Sequence, residues 1–412
     1  ADGKELAPGK PVTLRWHNGA GQSFEIRIAL DEHYMFSVTQ RVENHAEHPV
    51  TLYPYAFLNR VYEEPKQHYA ILHEGPLGVM EGSLEEINYH DLREKNHKTF
   101  EHATGWLGIT DKYWLTAMIP EGAFKVTFSH YTKNGSNRYQ ADYLGIAQEV
   151  QPGAAAEQRL LVFAGAKELS VIDAYAQGDA KSHVPPIPLF DRAVDFGSLY
   201  FLTKPMFLLL NFFFIHIGNF GIAIMLLTIV VKLMMYPLAN KSFHAMAQMR
   251  ELQPEVMKIR ERYSDDQIKM NQEMMALYKR EKVNPASGCL PVLIQMPVFF
   301  ALYKVLFVTL EMRHAPFFGW LKDLSAADPS NIFTLFGILD WGAPPWLHLG
   351  VLPMLMCATM VFQMRLQPKP ADPVQAKVIT YMPYFFLFLF AGFPAGLVLY
   401  WMTTNLWTCG QQ

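Results

Sequence analysis

The spacing of apolar positions changes character near residue 185. Before it, apolar residues recur at every second position in short runs at 12–16, 23–30, 36–42, 50–57, 113–119, 124–130 and 159–163. In Phe24-Glu25-Ile26-Arg27-Ile28 the apolar side chains share one face of an extended strand. Asn134-Gly135 and Gln151-Pro152-Gly153 supply turns between such runs. Many strands without intervening helices predict an antiparallel β-sandwich over 1–185. A short helix is expected at 168–176, and the three prolines of 183–188 read as a linker.

Beyond the linker the apolar runs lengthen. Residues 196–217 contain only about a dozen continuous apolar positions, interrupted by Asn211 and His216 and preceded by Lys204-Pro205. That is short for a bilayer span and predicts a helix lying in the interface, so 186–218 reads as linker plus interfacial amphipathic helix. Five candidate spans follow at 220–238, 288–310, 347–364, 378–393 and 397–412, making 219–412 a transmembrane bundle. Gly392-Phe393-Pro394-Ala395-Gly396 joins the last two as a tight turn.

Charge orients the spans. The loop 241–282 holds nine Lys/Arg, the segment between the second and third spans only Arg313 and Lys322, and 365–377 three. The positive-inside rule places the nine- and three-charge loops in the cytoplasm and the sandwich outside. A sandwich on that side requires an anchor ahead of Ala1, and both ends of the chain read as cut. Within 241–284, Met249, Leu252, Val256, Ile259 and Tyr263 step by three and four. Pro254 begins or kinks that helix, and Ser264-Asp265-Asp266 ends it and caps a second helix with Met270, Met274 and Leu277. The pattern predicts an antiparallel helical hairpin. Seven acidic residues offset its nine basic ones, so a solvated face and a surface for a partner such as the ribosome are both open readings.

Composition removes several functions. Net charge is −3, which gives no general case for nucleic-acid binding. The three cysteines, Cys289, Cys357 and Cys409, all lie in apolar runs, which excludes a disulfide framework or cysteine zinc site. Gly3 to Lys10 imitates a phosphate loop, but its spacing is one residue too long and Pro11 stands where Ser or Thr would hold magnesium. His45-Ala46-Glu47-His48 lacks zinc-protease spacing and reads as a turn, and His97 and His102 read as part of a polar loop. No cofactor or metal is expected, and no catalytic residue.

What remains is polarity inside the spans. Lys232 interrupts the first, with Thr228 one turn before it. Gln295 lies in the second, and Trp401, Thr404, Asn405 and Thr408 form a stripe on the last at i, i+3, i+4 and i+7. Unsatisfied polar groups in hydrocarbon cost several kcal/mol each, so such residues turn inward. They line a shared cavity or simply hydrogen-bond between helices. A transporter would use similar residues but expects internal repeats, which the chain lacks. A membrane enzyme acting through the sandwich would expect a carboxylate pair, and none stands out.

Several motifs resemble the YidC/Oxa1/Alb3 family of membrane protein insertases. These are Met235-Tyr236-Pro237-Leu238, Met249-Arg250-Glu251-Leu252-Gln253-Pro254, Glu281-Lys282-Val283-Asn284-Pro285, Gln295-Met296-Pro297, Asp323-Leu324-Ser325-Ala326 and Phe393-Pro394-Ala395-Gly396-Leu397. The match runs from about Leu189 to the end; the sandwich matches more loosely, through Asp111-Lys112-Tyr113-Trp114 and Gly165-Ala166-Lys167-Glu168. The resemblance implies a bacterial inner-membrane protein with a periplasmic β-supersandwich, a five-helix core and a cytoplasmic hairpin. It implies a hydrophilic groove open to cytoplasm and lipid, lined by Lys232, Thr228, Gln295, Tyr400, Trp401, Thr404 and Asn405. It implies small or nascent membrane proteins as substrates, with the Sec translocon, the ribosome and the lipid bilayer as partners. Two positions depart: Lys232 stands where the family carries an arginine, and Trp401 where it carries a tyrosine. The charge survives the first change, but the planar donor fork does not.

Overall fold

The computed structural model describes residues 2–62, 72–179, 182, 184–264, 266–283, 290–336, 338–339, 348–366 and 373–411. It divides into two compact units, Ala1–Gly197 with Val308–Leu310, and Ser198–Phe307 with Glu311–Gln412.

The first unit is built from antiparallel sheets. One has eight strands in the order β1 (Val12–His17), β2 (Gln22–Leu30), β3 (Met35–Asn44), β14 (Ala155–Ala166), β10 (Trp114–Pro120), β9 (Gly105–Thr110), β6 (Gly75–Met80) and β7 (Ser83–Glu86). The second runs β5 (Tyr55–Val61), β12 (Ser136–Gly145), β11 (Phe124–Lys133) and β8 (His97–Ala103). A small pair joins β4 (Val50–Leu52) to β13 (Gln148–Val150). Alternation explains the core. Phe124, Val126 and Phe128 of β11 and Tyr139, Ala141 and Tyr143 of β12 point inward against Leu107, Ile109, Met118 and Leu160 of the larger sheet. Each of the Val, Leu, Ile, Met and Phe side chains among them contributes on the order of 1.5–3 kcal/mol when buried. Asn134 and Gly135 both take positive φ, 54° and 76°, as a two-residue hairpin turn between β11 and β12 requires.

Several expectations need correction here. The single strand expected at 50–57 is two, β4 and β5, separated at Tyr53-Pro54, because proline cannot donate to a ladder. Residues 97–103 form edge strand β8 rather than a polar loop; a register shift against β11 between Phe124 and Val126 breaks the alternation, and His97 and His102 are both exposed. Strands β6 and β9 carry no alternation because they are covered on both faces, every residue of β6 being buried. Their glycines serve close approach: a Cβ on Gly78 would stand 2.4 Å from the Trp106 carbonyl oxygen. The helix expected at 168–176 is α2 (Leu169–Gln177), and α1 (Tyr89–Lys95) adds Tyr89 and Leu92 to the core. The proline-rich segment does not hang free. Trp106 Nε1 donates to the Pro188 oxygen at 3.0 Å, and Ile187, Phe190 and Phe196 are buried. His183 lies outside the described residues.

The second unit is helical. α3 (Tyr200–Ile217) turns at Gly218, φ 75°, into α4 (Phe220–Glu251), whose first turn is capped by Asn219 accepting from the Ile222 N–H at 3.1 Å. Thr203, Met206, Phe207 and Leu210 are the buried side of α3, while Phe201, Phe212 and Ile215 stay exposed. α3 starts earlier than its apolar core suggested, and at 18 residues with mean hydropathy 1.4 it is long and apolar enough to cross a membrane. α4 passes the same test with mean hydropathy 2.2. α4 continues thirteen residues past the expected end of the first span at 238, with Pro237 inside it. The hairpin seam is therefore split. Met249 belongs to α4, and the break falls at Leu252, where Pro254 opens α5 (Gln253–Arg262). Asp266 caps α6 (Gln267–Arg280), accepting from Lys269 N at 3.0 Å. Arg280 reaches Glu255 at 2.9 Å, so α5 and α6 lie antiparallel. Asn284-Pro285, the expected span starts at 288 and 347, Asp265 and Cys289 lie outside the described residues.

α7 (Leu290–Val308), α8 (Val351–Leu366), α9 (Pro373–Phe390) and α10 (Ala395–Gln411) complete the unit. Asp328, buried, caps α8: its carboxylate accepts from Leu352 N at 2.7 Å and from Trp320 Nε1 at 3.1 Å. Gly350 permits this, since a Cβ there would meet the Asp328 carboxyl carbon at 2.7 Å. The turn into α10 is pinned from the loop before α8, with Ala395 N on the Ala326 oxygen at 2.7 Å and Gly396 N on the Leu324 oxygen at 2.9 Å.

Candidate functional site

Three of the groove residues that the family resemblance implied meet. Lys232 of α4 donates to Gln295 Oε1 of α7 at 2.9 Å, and the Gln295 amide donates to the hydroxyl of Tyr400 on α10. Gln295 and Tyr400 are buried, at 7% and 1% exposure, and Lys232 is half-buried. A side-chain chain of cation, amide and phenol thus links α4, α7 and α10. Helical geometry explains the choice of face. Lys232, Met235 and Ala239 stack at i, i+3 and i+7 on α4, and this face turns to Thr408 and Gln411 on α10. Between them lies a cavity of about 40 Å³, lined also by Leu238 and Phe243. It exceeds the roughly 10–15 Å³ that one water occupies, and Lys232 and Thr408 give such water polar partners.

Thr228, Trp401 and Asn405 do not join this polar chain. Thr228 is fully buried, but its hydroxyl bonds back to the Ile224 oxygen at 2.7 Å, and among the described residues it bonds to no other helix. Trp401 packs its ring against Phe299, Phe386 and Phe390, with centroids 5.3, 5.7 and 5.3 Å away, in an aromatic cluster rather than the polar chain. Asn405 donates to Thr359 of α8 at 3.1 Å, which ties α10 to a different neighbour. Thr408 donates to the Thr404 oxygen at 2.8 Å. Trp401 Nε1, Thr404 Oγ1 and Trp407 Nε1 are buried without a hydrogen-bond partner among the described residues. In an apolar surrounding each costs about 1–3 kcal/mol, which water entering this part of α10 would relieve. Sequence reasoning missed Thr359; its only signal was a hydroxyl inside the run 351–362. Cys357 is a buried free thiol and Cys409 a half-buried one. Among the described residues no three His, Cys, Asp or Glu side chains gather as metal ligands would.

A second polar cluster lies in the segment before α8. Asp323 accepts from Ser325 N at 2.8 Å, Ser325 Oγ at 2.6 Å and His314 Nδ1 at 2.9 Å. Burial raises its pKa, but the bonds from Ser325 and His314 outweigh this and hold the carboxyl below its usual range.

The chain is similar to known proteins throughout. A family model described as 60Kd inner membrane protein matches residues 212–412, and one described as YidC periplasmic domain matches residues 1–209. The membrane protein insertase YidC of Rickettsia conorii is 45% identical across the whole chain, which covers 73% of that relative. The protein of the same name from Rickettsia bellii is 46% identical with the same coverage. Among solved structures, the active YidC insertase with its first transmembrane domain resolved is similar over the whole chain and 81% of its own length, at 20% identity and TM-score 0.45. A galactose mutarotase related enzyme from Lactobacillus acidophilus is similar over 39% of this chain and 70% of its own, at 11% identity and TM-score 0.29.

Proposed function

The chain belongs to the YidC family of membrane protein insertases, the family its motifs resemble, and on that premise we propose that it inserts small membrane proteins through a polar notch centred on Lys232. The family's function is non-enzymatic. It is an inner-membrane family with a periplasmic domain, and that domain is the β-sheet unit of this chain. In our reading α4, α7, α8, α9 and α10 cross the bilayer, the α5–α6 hairpin projects into the cytoplasm, and α3, although long and apolar enough to span, lies at the surface, where Lys204, Asn211 and His216 reach water. The proposed substrates are nascent and small membrane proteins, handled alone or beside the Sec translocon, with the ribosome approaching the cytoplasmic loops.

The observation that carries the reading is the Lys232–Gln295–Tyr400 chain. Lys232 lies nine residues before Lys241 on one continuous helix, about 13 Å at 1.5 Å per residue. A lysine stem spans roughly half of that, so snorkelling alone leaves the ammonium short of bulk water. A charge at such depth costs on the order of 3 kcal/mol. Gln295 and water in the neighbouring cavity offset that cost. The hydrated notch shortens the apolar barrier that a substrate's polar end must pass. Lys232 attracts acidic and carbonyl groups there, while the apolar segment slides along the lipid side and leaves laterally. Its burial in hydrocarbon drives the process, and no covalent step is needed.

The test is reconstitution of the full chain with a small single-span substrate bearing an acidic translocated end, scored by protease protection. Lys232→Arg is expected to insert at about the wild-type rate and Lys232→Ala to fail, most severely for the acidic end. Lys232→Cys is expected to react with a water-soluble maleimide from the cytoplasmic side. An unlabelled cysteine together with wild-type insertion by the alanine variant would reduce Lys232 to a snorkelling residue and sink the proposal.

A further inference from the structure

A groove outside the Lys232 site runs between α8 and α9. Met354, Ala358, Val361 and Phe362 of α8 and Tyr384 and Leu387 of α9 line it, and Arg365 stands at one end. Its volume is about 460 Å³. From Met354 to Arg365 is eleven residues, about 16 Å along the helix. One leaflet of hydrocarbon is half of roughly 30 Å, so the groove is as long as one leaflet is thick. A single extended hydrocarbon chain of about one leaflet's length fits along this open groove.

Charge identifies what tops that chain. Arg365 is exposed and in the last turn of α8. Eight residues after Arg365 α9 begins, and Lys377 in its first turns is exposed at the same end of the pair. The segment 365–377 holds Arg365, Lys369 and Lys377 against one acid, Asp372, a net charge of +2, and neither Arg365 nor Lys377 has an ion pair among the described residues. A basic end on an apolar slot one leaflet long matches a phosphate ester over an acyl chain. We propose that this groove binds one anionic phospholipid, an acyl chain along Met354 to Phe362 and the phosphate on Arg365. The site rests on α8 and α9 standing in a bilayer, and is independent of the notch at Lys232.

The experiment uses the purified full chain in detergent with equal amounts of phosphatidylglycerol and phosphatidylcholine, bound lipid being counted by native mass spectrometry. Wild type is expected to retain phosphatidylglycerol about five-fold in preference, the equivalent of ~1 kcal/mol for one basic contact. Arg365→Gln is expected to bring that ratio to about one and Arg365→Lys to keep it. Ala358→Phe, which fills the slot, is expected to lower retention of both lipids. A photo-crosslinker at position 358 in reconstituted membranes is expected to capture lipid. The proposal is overturned if Arg365→Gln keeps the wild-type preference, or if the crosslinker captures a substrate segment instead.

Discussion

Gln295→Leu separates a wet notch from a dry one. Leucine fills nearly the same volume, so no cavity term enters, and the change deletes the acceptor for Lys232 and the donor to Tyr400. Interhelical hydrogen bonds in membranes are worth about 0.6 kcal/mol each on average. If water replaces Gln295 at the ammonium, the loss is about 1 kcal/mol. If the site is dry, the stranded charge adds about 3 kcal/mol, for a total near 4. For a unit of about this size each kcal/mol shifts the midpoint by roughly 2–4 °C, which sets about 2–4 °C against about 8–16 °C. Thermal unfolding followed by tryptophan fluorescence at one scan rate reads the difference, and the wet outcome is expected. Adding Lys232→Met distinguishes the cases again. In a wet notch it restores little, whereas in a dry one it recovers most of the loss by removing the unpaired charge. A fall above about 8 °C that Lys232→Met reverses would refute the hydrated notch.

The α5–α6 hairpin is expected to exchange amide hydrogens faster than α4 before residue 238 and α10, because Val256 and Leu277 are its buried side chains and its joint is the break at Leu252; protection equal to α10 would contradict this. Replacing residues 2–180 of the full-length protein by a short linker is expected to leave insertion of a small substrate largely intact, since the polar chain is built wholly from α4, α7 and α10; complete loss by a stably expressed variant would refute it. Asp323 is held below its usual pKa, so its contribution is fully present above the ordinary carboxylate pKa of about 4 and is lost as pH falls through the lower folded value. Asp323→Asn is expected to remove that acid-side transition from the unfolding profile, and an unchanged profile would count against the bonds from Ser325 and His314.

The sequence by itself determined the periods. Period two set the outer strands, as in Phe124-Lys125-Val126-Thr127-Phe128, and long apolar runs set the helices. It also marked Lys232 and Gln295, because a polar group in such a run has few tolerable environments. It did not reveal β6 and β9, since strands covered on both faces lose their alternation and Gly78 answers to a neighbouring carbonyl rather than to its own strand. Nor did it choose between neighbours on α10. Tyr400 and Trp401 are successive residues about 100° apart around the helix. The rotation of α10 against α4, α7 and α8 sends Tyr400 to Gln295, Trp401 into the aromatic cluster and Asn405 to Thr359. Helical periodicity orders the residues within one helix, but only packing fixes the angle of one helix relative to another. That angle decided which polar side chains of the candidate site meet.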